Sequence, residues 1–432
     1  MILGAGRGQI PLMELCHKYG AYVIAVSPKG NYPGFSICDE AIYEDIKNKE
    51  AVLAKAQELS VDAIISDQLD QAVPTVAFVA EKMGLPGITY ETALKFTNKY
   101  KMRQAAQKLG INVPESRVLT CFDDAVNFIQ HNILTFPLIM KPVDGAASNG
   151  VFKVNSLDEI KEHFEYTQDF SKTRQVILEK FIYGKEYVVE AYTHNFIVTN
   201  LMVGHRDYFD IPGAFIPAAT VFQDALHASS EIEKQLMAVN KKIVNGYGLR
   251  FGITHGEFLV EEKTGKIYLV EIAARGGGVS ISSEIIPAAT GVNANELLVK
   301  DALNIYEDEI EIRKGAAAYF CYLVPEGVVK QLNGIEDVLS IPGVKYACFD
   351  NIALGMKTGK IVDKYSRKGP IIVAGLQKED CYNIFKKVKS ALDIKIETNI
   401  GNLENIIYDP TSQIDNTIEL HTNYIVWGGT SK

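Results

Sequence analysis

Two apolar runs, Phe-Leu-Val at 258–260 and Ile-Tyr-Leu-Val at 267–270, flank Lys263-Thr264-Gly265, a spacing that fits a three-residue hairpin loop with glycine in the left-handed position. A hairpin closed this way has one register. Glu262 then opposes Lys266, and Glu257 falls directly opposite Glu271, their Cβ atoms about 5 Å apart on one face. Opposed carboxylates repel, and the repulsion grows as water is excluded, so something positive belongs between them. A hard divalent cation meets that need, Mg²⁺ above all, because it commonly takes one or two carboxylates plus substrate phosphates. A shared proton and solvent exposure are the alternatives, and a two-residue turn would slip the register and part the pair.

The rest of the chain changes texture along its length. Over residues 1–90, short apolar runs (MILGAG, AYVIAV, DAIIS) alternate with helical patterns, including those at 49–59 and 72–83. That alternation argues for a parallel sheet covered on both faces. One helix is expected over 91–109, closed by Gly110. Between 113 and 275 strand-like runs follow one another, interrupted by helices at 123–130 and 230–247, which reads as antiparallel hairpins in an α+β arrangement. Strand and turn signals return after 310, with an amphipathic helix at 378–392. The expectation is an α/β and α+β multidomain chain: an N-terminal α/β domain over 1–90, a central domain over 91–308, and a small C-terminal domain over 309–432 whose tail from 398 carries no pattern.

Composition narrows the function classes. With 47% hydrophobic and 22% charged residues the chain can bury large cores. Its 53 acidic against 44 basic residues, a net charge of −9, disfavour a broad basic face for nucleic acid, though not one local phosphate pocket. The six cysteines show no C-x-x-C spacing, as in a reduced intracellular protein, and no apolar run approaches a membrane span, so a cytoplasmic location is expected.

Four further segments bear on chemistry. Gly4-Ala5-Gly6-Arg7-Gly8-Gln9 follows an apolar strand and opens a helix; either it cradles a phosphate or it permits a tight turn, and the third fingerprint glycine is replaced by Gln9. Lys141 ends an apolar strand beside the small-residue loop 144–150, which contains Ser148; a lysine at such depth needs a partner, and phosphate would supply one. The run Glu179-Lys180-Phe181-Ile182 leads through Gly184 to Glu186, as in two strands joined at a hinge whose backbone can bond a purine edge. Arg275, before three glycines, can fork onto a phosphate or carboxylate. No histidine or cysteine spacing suits zinc, and no G-x-S-x-G occurs.

Taken in order, the helix with Thr97-Asn98-Lys99, Lys141 and its loop, the Glu179 to Ile182 run with Glu186, the Glu257/Glu271 hairpin and Arg275 together resemble the ATP-grasp superfamily, over about residues 1–390. In texture the chain is most similar to L-amino acid ligases and to the phosphoribosylaminoimidazole carboxylase ATPase and formate-dependent transformylase groups. The resemblance implies ATP and Mg²⁺, or Mn²⁺, as cofactors. It implies that Lys99, Lys141 and Ser148 contact phosphates, that Glu179, Lys180, Phe181 and Ile182 hold adenine, that Glu186 takes the ribose, and that Glu257 and Glu271 ligate the metal. Lys141 and Arg275 would be catalytic, Arg275 stabilising an acyl phosphate or anchoring the acid. Ala273 stands where many members carry a metal-binding asparagine, which leaves open whether one ion or two bind.

The implied activity is an ADP-forming ligation of a small-molecule carboxylate to an amine, with residues 113–185 as a mobile cover over ATP. Loops at 205–222 and 276–284 would select the substrates. The alternatives are activation of bicarbonate or formate on a nucleotide precursor, and a non-catalytic ATP-binding regulator. No nucleic-acid or membrane partner is expected, and a homodimer is.

Overall fold

A computed structural model describes residues 1–131, 133–145, 149–211, 216–306, 309–361, 366–399 and 401–408. The N-terminal alternation closes into a parallel sheet of Ile2–Leu3, Ile24–Ser27 and Glu40–Tyr43, with Ile65 bridging Ile2 in parallel on its other side. Helices Ile10–Lys18, Lys49–Glu58 and Val73–Met83 cover it. One face is sealed by Leu3, Val26, Val52, Ile64 and Ala80. The other is not closed on itself: Leu12, Met13 and Cys16 share one hydrophobic core with Ile253, Leu297 and Leu298 of the central region and with Tyr319 and Ile372 beyond it.

That central region is built on an eight-stranded antiparallel sheet, in the order Ile267–Ala273, Gly252–Glu261, Gly184–His194, Ile197–Tyr208, Pro217–Asp224, Ala316–Leu323, Arg367–Gly375, Val344–Ala347. Strands from the C-terminal third therefore extend it without a break. A separate four-stranded sheet, Ser116–Leu119, Val176–Lys180, Leu138–Pro142, Phe152–Val154, is backed by helices Phe122–Gln130 and Leu157–Asp169 around Leu119, Leu138, Ile160 and Phe164. We call it the cap sheet. The α/β and α+β architecture expected from the sequence is the one observed. No helix among the described residues is long and apolar enough to cross a membrane.

Three local expectations are corrected. The single helix over 91–109 is two, Tyr90–Thr97 and Lys99–Lys108, because Asn98 leaves helical geometry and its side chain accepts from the Lys101 N–H at 3.0 Å. Gly110 does close the second helix, at φ +68°. Helix Leu157–Asp169 was not expected, although Ser156 and Glu159 provide a start signal: the Ser156 hydroxyl accepts from the Glu159 N–H at 3.2 Å. The stretch 205–222, read as a loop, contains the end of Ile197–Tyr208 and most of Pro217–Asp224; Arg206 and Asp207 disguise the strand, since both are charged yet lie inside it.

The junction between the sheets is tight. A Cβ on Gly184 would stand 2.1 Å from the Val260 carbonyl oxygen and 3.1 Å from the Glu261 Cα, both backbone atoms that only a shift of the strand can clear. Gly184→Ala is expected to cost about 1–3 kcal/mol, the usual scale of overpacking, read as a lower denaturation midpoint at unchanged denaturant dependence.

Candidate functional site

Residues 181–183 carry the chain from the cap sheet into the central sheet, and between the two sheets lies a cleft whose enclosed volume is about 140 Å³. The cap side contributes Ile139, Lys141 and Glu179, the crossing segment Phe181 and Ile182, and the central sheet Glu186, Arg206, Tyr208, Glu257, Leu259 and Glu271.

Lys99 enters because the helix breaks at Asn98. Its backbone N–H donates to the Val143 carbonyl at 2.8 Å, and its ammonium, 5% exposed, donates to the Gly145 carbonyl at 2.7 Å and to Glu271 Oε1 at 3.2 Å. Lys141 reaches Glu179 Oε2 at 2.6 Å, and the Arg103 guanidinium holds Glu179 Oε1 from Nε at 3.0 Å. Arg103 also donates to the Val270 carbonyl at 2.6 Å. Within the chain the partner of the buried Lys141 ammonium is Glu179. Burial raises the Glu179 carboxyl, but Arg103 and Lys141 outweigh it and hold the group at about 2. Burial pushes the Lys141 ammonium down, against the pull of Glu179.

One face of the central sheet gathers the remaining charges. Residues two apart on a strand share a face, so Glu186 and Glu190 on Gly184–His194, Arg206 and Tyr208 on Ile197–Tyr208, and His255 and Glu257 on Gly252–Glu261 fall side by side. Arg206 Nη1 donates to Glu186 Oε1 at 2.6 Å and to Glu257 Oε1 at 2.7 Å, while the Tyr208 hydroxyl donates to Glu186 Oε2 at 2.8 Å. Burial and the Glu257 charge, opposed by Arg206, push the Glu186 carboxyl up to about 7. Glu257 is less buried than Glu186, and Arg206 and His255, against the burial that remains, hold it well below the usual carboxylate range.

Glu257 opposes Glu271, as the hairpin spacing requires, by a different route. The loop is one residue longer than expected: Glu261 N–H donates to the Lys266 carbonyl, and pairs near the turn are Val260 with Ile267 and Phe258 with Leu269. A bulge at Val270 then adds one residue to the second strand and restores the Glu257–Glu271 pairing. Gly265 does sit in the left-handed region, at φ +67°.

The other expected residues are distributed as follows. Lys180 lies at the cleft on the exposed side of its strand, and Phe181 and Ile182 are buried beside it. The Lys180 and Phe181 N–H groups are taken by the Glu115 and Pro137 carbonyls, whereas that of Ile182 has no acceptor among the described residues. Ser148 lies outside the described residues. Arg275 does not line the cleft; it forks onto Asp70 of the N-terminal sheet region, Nε to Oδ1 at 2.8 Å and Nη2 to Oδ2 at 2.6 Å. At the glycine-rich turn the Gly6 N–H donates to Gln9 Oε1 at 3.0 Å, and Gln9 Nε2 donates to the Asp67 carbonyl at 2.7 Å.

The family model described as ATP-grasp domain matches residues 134–283. The chain carries an ATP-grasp domain. It is 26% identical over 370 residues to the phosphoribosylamine–glycine ligase of Methanopyrus kandleri, covering 79% of this chain and 80% of that one. It is 22% identical over 358 residues to the carbamoyl phosphate synthase large chain of a Thermoanaerobacter species; the match takes in 77% of this chain but 32% of that much longer relative. Among solved structures, the L-amino acid ligase from Bacillus licheniformis superposes with a TM-score of 0.74 at 23% identity, over 91% of this chain and 97% of that one.

Within and beside the ATP-grasp domain, sequence reading assigned no role to Arg103, Glu190, Arg206, Tyr208, His255 and Asp70. The signal was present for five: Arg206-x-Tyr208 and His255-x-Glu257 alternate onto one sheet face, Glu190 follows Glu186 by four strand positions, and Arg103 lies one helical turn from Lys99. Asp70 has no such signal. Glu179→Gln should leave two buried cations short of their counter-charge, at a cost of about 3–5 kcal/mol. Because the Glu179 carboxyl is lowered from 4.5 to about 2, its contribution is full above pH 4.5 and is lost as pH falls toward 2. The stability gap between wild type and Glu179→Gln, measured by thermal melts across pH 2–7, should therefore be widest above 4.5 and narrow below it.

Proposed function

We propose that the chain is an ADP-forming carboxylate–amine ligase. The observation that carries this reading is the Glu257/Glu271 pair at one side of the cleft, with Lys99 and Lys141 reaching into the same space. Each of the two glutamates uses only Oε1, Glu257 toward Arg206 and His255 and Glu271 toward Lys99, and Oε2 of each accepts nothing among the described residues. Two carboxylates with oxygens to spare, and no cluster of three or more His, Cys, Asp or Glu among the described residues that could cage a metal, suit Mg²⁺, which completes its shell with substrate oxygens. Glu257 and Glu271 would hold the ion, which supplies charge stabilisation at the phosphates.

The buried Phe181 and Ile182, with the unpaired Ile182 N–H, suit an adenine ring and its edge. Lys99 and Lys141 would exchange part of their contact with Glu271 and Glu179 for phosphate oxygens. A carboxylate oxygen of the acid attacks the γ-phosphorus, the bond to the β-phosphate oxygen breaks, and ADP leaves. The amine nitrogen then attacks the acyl carbon, the C–O bond to phosphate breaks, and the amine proton leaves with the phosphate. Arg275, held by Asp70 beside this region, would meet the acid.

Incubation with ATP, Mg²⁺ and pools of amino acids should release phosphate only when a suitable acid and amine are both present; bicarbonate and formate in parallel reactions distinguish the carboxylase and transformylase chemistries. Turnover independent of any acid would contradict the reading, as would tight ATP binding without turnover in every pool. Glu271→Gln should lower acid-dependent release by roughly 10²-fold or more, the scale of lost electrostatic stabilisation.

A further inference from the structure

Glu190 and His255 are opposed where Gly184–His194 pairs with Gly252–Glu261. His255 Nδ1 meets Glu190 Oε1, and His255 Nε2 lies 3.1 Å from Glu257 Oε1. Glu190 is fully buried, and its Oε2 has no hydrogen-bond partner among the described residues. A carboxylate so placed, with one imidazole as its neighbour, costs stability that an apolar residue would not. The loop after Glu271 accommodates the pair: a Cβ on Gly277 would stand 2.7 Å from His255 Nδ1 and 3.1 Å from Glu190 Oε1.

Arg206 cannot orient Glu257 by itself, because its Nη1 is divided between Glu186 and Glu257. The imidazole, by contrast, is fixed at one nitrogen and presents the other to Glu257 Oε1. Arg206 Nη1 and His255 Nε2 both lie within hydrogen-bond distance of that single oxygen. We propose that Glu190 and His255 are positioning residues that set the rotation of the Glu257 carboxylate, holding Oε1 back and leaving Oε2 for the metal ion. Groups that orient a metal ligand from behind typically change affinity by about 10–100-fold when removed.

The inference rests on Glu257 being a metal ligand, and the test separates the two. ADP binding to the full chain is measured by calorimetry in Mg²⁺ and again in EDTA. His255→Gln and Glu190→Gln should each weaken binding in Mg²⁺ by about 10–100-fold, raise the Mg²⁺ concentration needed for half-saturation by the same factor, and leave binding in EDTA at the wild-type value. Equal loss in both conditions, or no loss in either, overturns the proposal. Wild-type binding that Mg²⁺ does not strengthen overturns the metal reading along with it. Gly277→Ala displaces the pair without removing it and serves if the buried substitutions do not fold: metal-selective loss supports the proposal, and its absence overturns it.

Discussion

Glu179 is held by two cations from two different parts of the chain, Arg103 from the helix Lys99–Lys108 and Lys141 from the neighbouring strand of the cap sheet. Arg103 continues to the Val270 carbonyl in the central sheet, so one buried ion triad ties the helix, the cap sheet and the central sheet together at the wall of the cleft. Val270 is also the bulged residue that restores the opposition of Glu257 and Glu271. The contact that fastens the two sheets therefore sits on the irregularity that aligns the two carboxylates. A buried pair of this kind is weak evidence of net stability, but breaking it from one side is expensive. The three elements are in that sense held to one arrangement.

The cleft has little free charge. Lys99 faces Glu271, Lys141 and Arg103 face Glu179, Arg206 faces Glu186 and Glu257, and outside the cleft Arg275 faces Asp70. A net charge of −9 is thus no obstacle to an anionic ligand. Each of the three cations singled out in the sequence, Lys99, Lys141 and Arg275, is met by a carboxylate of the chain itself. A nucleotide with its cation brings both signs at once, and so can substitute for internal partners without leaving a buried charge uncompensated.

How much of this was legible depended on whether the determinant was local. The parallel N-terminal sheet, the antiparallel strands and the Glu257–Glu271 opposition follow from periodicity and loop length. The hairpin was nevertheless reached through two offsetting departures, a loop one residue longer and a bulge one residue later, and nothing near Lys263 announces the bulge. The break at Asn98 turns on a side chain competing with the helix backbone, a choice that residues 90–108 leave open until Lys99 finds the Val143 carbonyl. Arg206 and Asp207 concealed a strand because a charged pair reads as surface, whereas their partners come from strands and helices far along the chain. Asp70 and Arg275 meet across 205 positions, a pairing that belongs to the tertiary fold alone.

The central claim is that this cleft takes a nucleotide with a metal ion at the opposed glutamates. Crystals grown with ADP and Mn²⁺ test it through the anomalous signal of manganese. The account predicts ADP between the two sheets and a manganese peak within bonding distance of both Glu257 and Glu271. ADP bound in the cleft with manganese distant from both carboxylates, or ADP bound elsewhere on the chain, would contradict it.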